Sequence, residues 1–202
     1  MSATAAPVAS DRSDFRTVTV GGAKLGVATA VAVVAFLAAS RLVPIAAGLR
    51  GGVTALIVLA AALAVSFLPA QWTAARRTEG IAGAAAVGLV GTVVFSAIDI
   101  GLLRPFKAYP WTWDAIGGGS TWWYLPIWWM LGTFLAWMGG IVTAATGEAT
   151  LARRALPAVA GTIIVAAIGR LAAIPVAFPV ITGAAFTLVL AAVALVALAR
   201  KG

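Results

Sequence analysis

The chain has 202 residues, 62% of them hydrophobic and only 10% charged, with a mean hydropathy of +1.06. A soluble domain carries about a quarter charged residues, so the composition points to a membrane protein instead. There is no Cys and no His, which removes disulfides, thiolate nucleophiles, Cys/His metal and haem sites, and imidazole acid–base chemistry.

The net charge of +8 comes from 14 basic and 6 acidic residues. The basic residues lie in pairs between apolar runs, the pattern by which membrane topology is encoded. They nowhere reach the density that nucleic-acid binding needs.

Residues 1–20 are small and polar and read as a tail. Phe15, Val18 and Val20 would let its end lie at an interface. A first helix is expected over 21–40. The run Leu37-Ala38-Ala39-Ser40 resembles a signal-peptide end, but the long lead and long apolar core favour a retained helix.

A short connection with Pro44 and Gly48 leads to a second helix over 51–69. A polar link with Trp72, Arg76 and Arg77 follows. The third helix, 79–103, repeats a small or hydroxyl residue every fourth position: Gly80, Ala84, Gly88, Thr92 and Ser96. These form one slowly drifting stripe. In lipid such a stripe lets a neighbouring helix approach closely, which predicts a central place for this helix.

The next connection holds Arg104, Lys107, Asp114 and the run Gly117-Gly118-Gly119-Ser120. It lacks the GxxxxGK[ST] spacing of a phosphate loop. The fourth helix is expected over 121–146. Seven of the eight tryptophans fall between Trp111 and Trp137. Trp collects where lipid meets water, so Trp122, Trp123, Trp128 and Trp129 are expected to anchor the entrance of this helix.

Helices over 155–173 and 180–199 complete the count. The expected fold is therefore an all-α integral membrane protein, one bundle of six transmembrane helices over 21–202.

Six crossings put both termini on one side. Nine basic residues fall there: Arg12, Arg16, Lys24, Arg76, Arg77, Arg153, Arg154, Arg200 and Lys201. Five fall opposite: Arg41, Arg50, Arg104, Lys107 and Arg170. The excess predicts cytoplasmic termini in a multi-pass cell-membrane protein, with the Trp-rich connection outside.

Charges inside a membrane are costly and mark candidate sites. Asp99 and Arg170 both fall toward the outer ends of their helices, and an ion pair between them is expected. Arg104, five residues beyond Asp99, is the competing partner. Asp114 with Trp111 and Trp113 could form an aromatic box for a cation; a solvated interfacial loop is the plainer reading. No metal-binding carboxylate pair, no catalytic constellation and no cofactor motif stands out.

Two functions follow. The first is a non-enzymatic subunit that binds or transports a small solute in a cavity between the third, fourth and fifth helices. The second is a structural or accessory subunit packing other membrane subunits, lipids or pigments, without a site of its own. A lipid-modifying enzyme ranks below both, since the acid–base inventory is so poor. The bilayer is the expected partner in each case. A cavity reaching Asp99 would favour the first reading, and a flat apolar flank the second.

Overall fold

The computed structural model describes residues 12–44, 48–105 and 124–200. All its regular elements are helical. They are α1 (Phe15–Leu42), α2 (Leu49–Trp72), α3 (Thr78–Ile98), α4 (Tyr124–Thr146), α5 (Leu151–Leu171) and α6 (Phe178–Ala199). A π turn, Asp99–Leu103, extends α3 without a break. The shortest of the six, α3 before its π turn and α5, have 21 residues each. At 1.5 Å per residue that is about 32 Å, the thickness of a bilayer core. All six are long and apolar enough to cross a membrane.

Several boundaries lie outside the expected ones, each for a local reason. Helix α1 starts at Phe15 and not near 21. Asp14 caps it, its carboxylate accepting from Thr17 N at 3.0 Å and from Thr17 Oγ1 at 2.6 Å. These bonds, the side-chain one foremost, hold the Asp14 carboxyl below the usual carboxylate range. Residues 15–20, read as part of the tail, are thus its first turns.

Helix α2 continues through Pro69 to Trp72. Its last turn closes on Thr73, whose backbone N and Oγ1 both donate to the Pro69 carbonyl at 3.0 Å. Helix α5 starts at Leu151, where Thr150 accepts from Arg153 N; the polar composition of 147–154 hides this cap.

Helix α3 lies between α1 and α4, its two main neighbours, and also touches α2. Gly80, Ala84, Gly88 and Ser96 of its stripe are buried. A methyl at Gly88 would stand 2.5 Å from the Gly132 carbonyl oxygen and 2.6 Å from Ala136 Cβ on α4. On the α1 side, a methyl at Gly26 would stand 2.7 Å from the Gly91 carbonyl oxygen. Gly139 of α4 rests directly on the Ser66 backbone of α2. Helix α2 also packs on α1 and α6, and α5 is held mainly by α6.

Buried positions are rich in Ala, Gly, Ser and Thr, whereas Leu56, Ile163, Ile164, Ile168 and Leu188 face outward. Most buried hydroxyls turn back to their own helices, Thr143 Oγ1 alone having no partner among the described residues. Ser66 donates to Ala62 O at 2.8 Å, and Thr162 to Ala158 O at 2.6 Å. Close backbone approach and satisfied hydroxyls are what helix association in an apolar medium requires.

One end of the bundle gathers the start of α1 and the α2–α3 and α4–α5 turns. Arg12 N donates to Thr73 O at 2.8 Å. Arg76 and Glu148 form an exposed ion pair at 3.5 Å. A surface pair like this adds little stability, but it shows that the two turns are adjacent.

Candidate functional site around Asp99

A cavity of about 330 Å³ lies in the half of the bundle away from that end. Helices α1 to α4 wall it, and the lining is almost entirely apolar. Phe36, Ile57, Phe95 and Trp128 represent the four helices, and Thr29, Thr92 and Asp99 are its polar side chains. The size falls at the lower end of small-molecule sites, and sparse polar groups on apolar walls are their usual composition.

The expected cavity used the third, fourth and fifth helices. The structure replaces the fifth with α1 and α2. The reason lies in α1, where Gly21, Gly22 and Gly26 are buried. Gly22 sits against Val90, and Gly26 against Gly91 and Val94. This docks α1 along α3 and leaves α5 at the periphery on α6. The Gly22–Gly26 spacing is the same small-residue signal as on the third helix; it marks a packing face of the first helix but does not name the helix it meets.

Asp99 is 2% exposed. Its Oδ2 accepts from Arg104 Nε at 3.1 Å. Its Oδ1 is buried and has no hydrogen-bond partner among the described residues. Arg104, half-buried, links the carboxylate to the end of the helix. Backbone geometry makes the pair: Arg104 N donates to Asp99 O at 2.9 Å, the i+5 bond of the π turn. Single π turns recur at functional sites.

The expected Asp99–Arg170 pair is not formed. Asp99 takes Arg104, the competing partner, and Arg170 is exposed in the last turn of α5. Helix α3 packs chiefly on α1 and α4, and α5 on α6, so the two charges belong to different parts of the bundle.

Trp128 lines the cavity. Trp129 is half-buried, and its indole N–H donates to Ser96 Oγ at 3.3 Å, tying α4 to the stripe of α3. Ser96 Oγ in turn donates to Thr92 O at 2.8 Å. Trp111, Trp113, Asp114, Trp122 and Trp123 lie outside the described residues. No group of three His, Cys, Asp or Glu residues that could hold a metal ion occurs among the described residues.

Fold and site together define a class: among the described residues, an all-α bundle of six helices, each able by length and composition to span a membrane, with one buried carboxylate at an apolar cavity. No family model, no curated protein and no solved structure matches this chain.

Proposed function

We propose that the protein is a multi-pass cell-membrane protein that binds or transports a small, mostly apolar solute in the cavity at Asp99. One observation carries the reading. An apolar cavity of about 330 Å³ ends on a buried carboxylate whose Oδ1 has no donor among the described residues. A buried acceptor without a donor is costly, so a ligand bringing an N–H or O–H group to that oxygen gains from the arrangement. Apolar walls take up the rest of the molecule. The large outward-facing aliphatic side chains support placement in lipid, since soluble monomers rarely expose such continuous apolar surface. The nine-to-five basic asymmetry supports cytoplasmic termini.

The test compares wild type, A61F and D99N, each purified from native membranes and extracted for mass spectrometry. Ala61 lines the cavity, so Phe there fills it. Wild type should retain a small apolar molecule with a hydrogen-bond donor, A61F should lose it, and D99N should hold it more weakly. Equal retention by wild type and A61F would overturn the proposal. The accessory-subunit alternative draws on α5, whose outer face of Leu156, Ile163, Ile164 and Ile168 is exposed; it predicts a co-purifying membrane protein and an empty cavity.

A further inference from the structure

A second cavity, of about 690 Å³, opens between α4, α5 and α6, and nothing in the proposed solute site uses it. Its walls are apolar, with Val142 from α4, Pro157 from α5, and Val193 and Val196 from α6. Two cations border it: Arg154 in the first turn of α5 and Arg200 just beyond α6. Among the described residues no carboxylate lines it. Helices α4 and α5 pack only lightly on each other, which leaves the gap.

Among the described residues Arg154 is held at one edge only. A terminal guanidinium nitrogen donates to Gly147 O at 2.5 Å. Its Nε is buried and has no acceptor among the described residues. A guanidinium carries five donors and suits phosphate oxygens. Arg76 of the α2–α3 turn lies close enough to add positive potential, and Glu148, the nearby carboxylate, is already paired with it.

We propose that this groove holds an anionic phospholipid, its phosphate between Arg154 and Arg200 and one acyl chain along Val142, Pro157, Val193 and Val196. Charge complementarity selects the headgroup. The apolar wall beneath the two arginines, about two helical turns deep from Arg200 to Val193, selects a lipid over a soluble anion. Basic pockets between transmembrane helices on the positive side recognise such headgroups. The inference rests on the membrane reading and is independent of the Asp99 cavity.

The experiment places the full chain in nanodiscs of phosphatidylcholine with increasing phosphatidylglycerol, and measures thermal midpoint and lipid retained after detergent exchange. Phosphatidylglycerol should raise the midpoint above that in phosphatidylcholine alone. R154Q/R200Q should weaken its retention by roughly 10- to 30-fold, two charges' worth of attraction. R200Q alone and the groove-filling A197F serve if the double variant fails to fold, and each should lower retention. R12Q/R16Q removes equal charge elsewhere and should leave retention unchanged. Equal stabilisation by both lipids would overturn the proposal. So would equal loss in R12Q/R16Q, or full reproduction of the effect by inorganic phosphate. Loss of the lipid preference in A197F while the Asp99 cavity keeps its solute separates this site from the first.

Discussion

Arg104 and Asp99 pair across a single π turn, Arg104 Nε lying 3.1 Å from Asp99 Oδ2. In a regular α-helix a residue five positions on lies about 140° round the axis. The wider turn Asp99–Leu103 closes on the fifth residue instead and sets the guanidinium over the carboxylate. The helix thereby neutralises its own buried charge at the wall of the cavity.

The two members of this pair should respond unequally to substitution. R104Q strands a carboxylate that is 2% exposed and should cost about 3 kcal/mol. D99N leaves an arginine that reaches the surface and should cost about 1 kcal/mol. R170Q should change stability by less than about 0.5 kcal/mol. Unfolding in detergent measures all three, and the D99N/R104Q double variant should lose less than the sum of the singles. Strict additivity, or a large effect of R170Q, would contradict the pairing.

Glycine substitutions should divide by what the added methyl meets. At Gly88 it meets the Gly132 carbonyl and Ala136, and at Gly139 the Ser66 backbone. G88A and G139A should each cost about 1–3 kcal/mol, because backbone cannot move aside as a side-chain tip can. Gly52 of α2 has nothing within 4 Å of such a methyl. G52A should stabilise by about 0.5–1 kcal/mol through helix propensity alone. Equal thermal midpoints for G52A and G139A would contradict the close α2–α4 contact.

Topology can be read by single cysteines in this Cys-free chain. Ser13 and Thr78 lie at the end of the bundle that gathers the α2–α3 turn, and both are exposed. S13C and T78C should label from the cytoplasmic face, and A115C, between α3 and α4, from the other. Labelling of all three from one face would contradict the crossing of α3. A complete reversal would leave the bundle intact and overturn the orientation.

The six long apolar helices were legible because a helix able to span a bilayer is a run of about 20 apolar residues, a property of composition along the chain. The stripe from Gly80 to Ser96 was legible for a similar reason, since small residues at fourfold spacing must share a helix face. Asp99 and Arg104 stood out because charge is rare in such runs.

Their pairing was another matter. It depends on a π turn, which no residue between Asp99 and Leu103 announces, and on α5 lying away from α3. The α1 wall of the cavity had a sequence signal in Gly22 and Gly26, but which helix those glycines meet is decided by shape across the whole bundle. Trp129 shows the same division. Its amphipathic ring marks it for an interface, yet its N–H finds Ser96 inside the protein. Sequence determined which segments are helical and where charge is scarce, because those are local energies. Tertiary structure alone decided which faces meet, because van der Waals packing between apolar helices is a property of pairs of surfaces and has no record in either one.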